Sequence, residues 1–217
     1  MRKINRRSAE KSIAVIIDGK DEKWYLETVK EHYPNVAMKK ATIKPDLPQK
    51  KSVEELFALA QQKLAMESSQ VILILDMDSI IKDNQEFEWF RVYYEKYLKS
   101  TRGTLTTREK AKYGWMNNLV IIVNTPCLEF WYLLHFSKTH KFFPDFSAME
   151  ATLRKQPGLE GYHKSEVFYK KSPNIYDRLG GEKGILIARN NSIPFSLEEV
   201  KSKGVSEMNK FFELFEK

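Results

Sequence analysis

Three unbroken aliphatic runs, at residues 13–17, 71–75 and 119–123, constrain this chain more than any other feature. Each is rich in β-branched residues and has no polar interruption, the pattern of a strand buried on both faces. Helical periodicity fills the intervals. Residues 22–32 carry Trp24, Tyr25, Thr28 and Val29 near one face, and 53–66 carry Leu56, Phe57, Leu59, Ala60 and Leu64 on an apolar stripe. Ser52 with Glu55 three residues on forms a capping box ahead of the second helix. A further helix is expected over 84–99. Strand and helix patterns in alternation imply βαβ units, hence a mainly parallel sheet sandwiched by helices, an α/β fold of Rossmann-like type.

The remaining segments read less sharply. Residues 36–43 alternate imperfectly and form a weaker strand candidate, followed by a loop with Pro45 and Pro48. Residues 100–112 read as a polar, basic loop. Past Pro126 a strongly apolar helix is expected over 127–136, and from Phe146 onward several short helices with Gly and Pro breaks. With 217 residues the chain is long enough for one well-buried core. The expected organisation is a single domain: an α/β core over 12–137 and a helical C-terminal extension over 138–217 packed on it. No run approaches the ~20 apolar residues of a membrane span. The apolar run behind the basic N-terminus is too short for a signal peptide, so a cytoplasmic protein is expected.

Each strong strand ends in a polar segment: Asp18-Gly19-Lys20-Asp21-Glu22, Asp76-Met77-Asp78 and Asn124-Thr125-Pro126. In a parallel sheet these ends share one edge, where open α/β folds bind ligands. Asp18, Asp76 and Asp78 therefore converge on one rim, and Glu22, one helical turn past Asp18, can face it too. Carboxylate oxygens suit hard cations, so Mg²⁺ or Mn²⁺ is the expected cofactor. Four carboxylates are enough to hold two metals in the arrangement used for phosphoryl transfer. The competing reading is that such aspartates cap helices or form turns. Glu129 has two readings as well: a carboxylate satisfying N–H groups at a helix start, favoured by the macrodipole, or a further ligand near the rim.

Other residues narrow the chemistry. Cys127 is the lone cysteine, so neither an internal disulfide nor a Cys-rich zinc site is possible. It follows Pro126 at a helix start, where a thiolate would be stabilised, but no partners for nucleophilic catalysis are legible. Trp131, Leu134 and His135 read as core. The net charge of +7 gives a field attractive to phosphate backbones. Arg102, Arg108, Lys110 and Lys112 flank Tyr113 and Trp115, a mix suited to phosphate contact and base stacking, or else to a solvated loop. Arg2, Lys3, Arg6, Arg7 and Lys11 form a second basic stretch, an arm for nucleic acid.

The segment running from Ile16 through Asp18-Gly19-Lys20-Asp21-Glu22 to Leu26 resembles the hhxEGxxTExxYF opening of the RloB-like family. Asp76-Met77-Asp78 resembles that family's Asp-x-Asp strand end. The stretch from Asn124 through Glu129 to Phe136 is similar to its SNPxFExWLLLHF segment, the most specific of the three, and Tyr162-His163-Lys164 resembles a later Tyr-x-Lys. The family is in turn similar to Toprim domains. The resemblance implies a four-stranded parallel sheet between helices, a divalent metal held by a first-strand acid and the Asp-x-Asp, and phosphodiester chemistry. It also implies a role in host defence against phage. By the same resemblance Asp18 and Asp76 are catalytic, and Lys164 stabilises the pentavalent phosphate. Two positions depart from the family: Asp18 replaces its Glu, one methylene shorter, and Asp21 replaces its Thr.

Two functions compete on this reading. One is a Mg²⁺-dependent nuclease or phosphodiesterase acting on DNA or RNA. The other is a catalytically weak module that binds nucleic acid or a partner protein of a defence system; a homodimer fits either. A haloacid-dehalogenase-type phosphatase is disfavoured, because Asp76-x-Asp78 falls on about the third strand and no Gly-Asp pair occurs.

Overall fold

A computed structural model describes residues 12–17, 19–46, 51–66 and 68–216. Asp18 and the basic stretch Arg2, Lys3, Arg6, Arg7 and Lys11 lie outside the described residues. The element order begins β1 (Ser12–Ile16), α1 (Lys20–His32), α2 (Val36–Lys40), β2 (Thr42–Asp46), α3 (Val53–Met66) and β3 (Gln70–Asp76). It continues α4 (Met77–Ile80), α5 (Asn84–Thr101), α6 (Thr107–Tyr113), β4 (Leu119–Thr125) and α7 (Glu129–Leu134). The rest is α8 (Phe146–Leu153), α9 (Glu166–Lys170), α10 (Ile175–Arg178), α11 (Gly181–Asn191), β5 (Val205–Ser206) and α12 (Asn209–Glu213).

The sheet runs β2-β1-β3-β4-β5, with the first four strands parallel and β5 antiparallel to β4. Alternate residues of each central strand enter separate cores. Ile13, Val15, Ile72, Ile74 and Ile122 pack with α1, α7 and the C-terminal helices. Ala14, Ile16, Val71, Leu73, Ile121 and Val123 pack with α3 and α5. Burial on both faces is why these strands are aliphatic at every position. The first of the two cores joins side chains from both ends of the chain, including Trp131, Tyr162, Phe211 and Phe212. No described helix is long and apolar enough to cross a membrane.

Three expectations are corrected. Residues 36–43 are not one strand: α2 comes first, capped by Asn35, whose Oδ1 accepts from Met38 N–H at 2.8 Å, and β2 follows as an edge strand. An edge tolerates Pro45, whose missing N–H would break a central ladder. The basic stretch 100–112 is not all loop, because Thr106 and Glu109 close a capping box that starts α6. The C-terminal third is not purely helical: Ser206 and Val205 pair with Asn124 and Thr125, extending the sheet past its four parallel strands.

Candidate active site

The C-terminal ends of β1, β3 and β4 form one rim, and the register places Asp76 directly beside Asn124. Pro126 pins the rim by accepting the N–H groups of Met77 and Asp78 at 2.9 and 3.0 Å. Asn124 donates from Nδ2 to Asp76 Oδ1 at 3.2 Å and accepts from Ser206 Oγ at 2.7 Å, so β5 orients the Asp76 carboxylate through one amide. At the β1 end, Gly19 has extended backbone that any residue adopts; what it provides is room. A Cβ there would stand 2.5 Å from Asp21 Oδ1 and 2.6 Å from Glu22 Oε2. The first turn of α1 thereby lays both carboxylates back over the strand end, and both are buried.

Glu129 opens α7 and is fully buried. It does not cap that helix. Its Oε1 accepts from the Tyr162 hydroxyl at 2.6 Å and pairs with Lys164 Nζ at 2.8 Å. The same ammonium lies 2.8 Å from Asp21 Oδ2. Behind Tyr162, the hydroxyls of Tyr169 and Tyr132 continue a buried chain, with oxygens 2.7 and 3.2 Å apart in turn. Four carboxyl groups thus share one site, three of them buried, with the half-exposed Lys164 ammonium at its edge.

The electrostatic consequence is direct. Burial first, then the neighbouring Asp21, pushes the Glu22 carboxyl up to about 8. Asp76 is held well above the usual carboxylate range, by burial and next by the charges of Glu22, Glu129 and Asp21, with the Asn124 hydrogen bond opposing. Glu22 Oε2 and Glu129 Oε2 are buried without a hydrogen-bond partner. Orphaned buried carboxylate oxygens are costly, and a divalent cation offsets that cost, so hard oxygen donors fit Mg²⁺ or Mn²⁺ here. Among the described residues no three or more His, Cys, Asp or Glu side chains are arranged to chelate a metal by themselves. Such a cation would depend on a pair of carboxylates completed by water or by substrate phosphate.

The residues singled out from sequence fall into distinct places. Glu22, Asp76, Glu129 and Lys164 come together. Asp78, two residues past Asp76, is half-buried; burial raises its carboxyl, opposed by a backbone hydrogen bond at Ser79 and by the charges of Lys82 and Lys164. Arg102, Arg108, Lys110 and Lys112 are exposed and away from the rim. They sit on or beside α6, which Glu109 ties to the far half of α5 through Lys96 at 2.6 Å. The near end of α5, by contrast, supplies Asp83 and Glu86 to a depression of about 530 Å³ that includes Asp76. Tyr113 and Trp115 line a separate groove with Phe57 and Tyr93, and Lys112 stands over the Tyr113 ring at 5.1 Å. His135 is buried in the core, its Nδ1 2.9 Å from the Trp131 carbonyl. The helix-start reading of Cys127 as a stabilised thiolate is corrected: burial, Glu129 and Asp76 push its thiol well up. Sequence reasoning missed the Asp21–Lys164 pair and the parts played by Ser206 and Tyr169.

An open, mainly parallel α/β sheet sandwiched by helices, with acidic residues at its strand ends, defines a Rossmann-like α/β protein. The chain belongs to the family described as RloB-like protein, whose match spans residues 13–213. No curated protein and no solved structure matches it.

Proposed function

We propose that this chain is a Toprim-type, Mg²⁺- or Mn²⁺-dependent phosphodiesterase that cleaves nucleic acid in antiphage defence. The observation carrying this reading is the pair of buried, unpartnered carboxylate oxygens, on Glu22 and Glu129, beside Asp76 at the sheet edge. Glu22 and Asp76, with Asp18, would hold the cation, which supplies Lewis-acid stabilisation of charge on the phosphate. Asn124 keeps the Asp76 carboxylate oriented, since its own carbonyl is fixed by Ser206. Lys164 adds a positive charge at the same edge. The exposed cations on and beside α6 lie away from this rim and would contact nucleic acid only at a distance from the metal.

Incubation with single-stranded DNA, duplex DNA and tRNA tests this, with and without Mg²⁺. Wild type cleaves at least one of them only with metal, and Asp76→Ala lowers the rate at least about a hundredfold. One observation favours the second reading, a catalytically weak binding module: the described residues assemble no three-ligand metal group. Nucleic-acid binding that is metal-independent, accompanied by no cleavage and unchanged in Asp76→Ala, decides for the module.

A further inference from the structure

Lys164 is held unusually firmly for a cation at an active-site edge. Its Nζ is 2.8 Å from both Asp21 Oδ2 and Glu129 Oε1, and it lies over the Phe146 ring at 4.8 Å. Burial opposes its charge, but Glu129 and Asp21 outweigh burial and keep the ammonium protonated far above neutrality. Glu129 Oε1 also takes the Tyr162 hydroxyl at 2.6 Å, so that oxygen is fully engaged. The other Glu129 oxygen and Glu22 Oε2 are left open.

We infer that the Lys164 ammonium is a built-in cation occupying the Asp21–Glu129 half of the carboxylate cluster, so that the site takes one divalent cation, on the Glu22–Asp76 half, and not two. The inference rests on the metal reading above and specifies its stoichiometry. A second divalent cation would need Asp21 and Glu129 as ligands; Asp21 Oδ2 and Glu129 Oε1 are already paired with an ammonium whose charge repels it, and the open Glu129 Oε2 alone would not hold it. Removing the ammonium vacates that half and leaves its carboxylates uncompensated, which is the condition under which a second cation enters.

Mn²⁺ bound per chain is counted from the loss of the free-ion electron paramagnetic resonance signal, at a pH above the Glu22 value of about 8. Wild type and Lys164→Arg are expected to bind one equivalent, and Lys164→Met, verified as folded by circular dichroism, two. Two equivalents in wild type overturn the inference while leaving the metal reading intact, and this count stands even if Lys164→Met does not fold. A single equivalent persisting in folded Lys164→Met overturns it as well. No bound Mn²⁺ in either protein removes the metal reading and the inference together.

Discussion

Glu22 is a buried carboxyl whose ionisation the fold opposes, and a titration makes that visible. Its carboxyl is raised from 4.5 to about 8, so the folded chain without metal favours the neutral form. Stability from this group is fully present below pH 4.5 and is lost as pH rises through about 8. Glu22→Gln keeps the buried shape without the charge. At alkaline pH it is expected to raise the metal-free Tm by roughly 5 °C, on about 2 kcal/mol, while abolishing any rise in Tm on adding Mg²⁺. Because the cation must displace the Glu22 proton, wild-type affinity is expected to rise at least about tenfold per pH unit below the Glu22 value, and more steeply where Asp76 must lose a proton as well. Calorimetry across pH 6 to 8 measures that slope; a flat profile removes Glu22 from the ligand set. Asp76 was legible as a ligand candidate because it is the first polar residue after a fully apolar strand. Ser206, which orients it through Asn124, was not: its partner is 82 positions away and no local pattern marks it.

Among the elements, those written by periodicity and caps were readable, and those made by tertiary contact were not. The capping box at Ser52 and Glu55 announces α3, and both its bonds are present: Glu55 N–H donates to Ser52 Oγ and Ser52 N–H donates to Glu55 Oε2. The same pattern at Thr106 and Glu109 starts α6, yet a run of cations there reads as loop because basic residues set no apolar face. β5 has two residues, too short for any alternation, and exists only because β4 offers it an edge. Thr106→Ala removes the α6 cap and is expected to cost about 1 kcal/mol locally. Amide exchange over residues 107–113 should speed up about fivefold while the global Tm holds. Unchanged exchange would mean that the Lys96–Glu109 contact, not the cap, holds the helix.

On the scale of the whole molecule, two cores cover opposite faces of one sheet, and the acidic cluster sits at the C-terminal ends of its strands. The core on the α7 side contains His135, whose imidazole burial lowers from 6.5 to about 4. Since the folded state binds the proton more weakly, His135 contributes stability above pH 6.5 that is lost as pH falls toward 4, about 3 kcal/mol in all. Glu22 acts in the opposite direction over an overlapping range, so a difference between proteins isolates the histidine. The stability gap between wild type and His135→Gln should shift by about that amount between pH 7 and 4, read by urea unfolding; a constant gap would falsify the assignment of the buried neutral imidazole. The α/β class was legible in three aliphatic runs, because a doubly buried strand leaves no room for polar residues. The closure of the site by Tyr162, Lys164 and β5 was legible only through family resemblance or not at all, since it joins segments far apart in the chain.

The proposed divalent-metal site at the strand-edge carboxylates around Asp76 is checked by Mg²⁺ titration calorimetry on wild type, Asp76→Asn and Asp78→Asn. Saturable binding in wild type, retained in Asp78→Asn and absent in Asp76→Asn, is the predicted result. Wild type that takes up no Mg²⁺ at millimolar concentration, or Asp76→Asn that binds it as tightly as wild type, contradicts the claim.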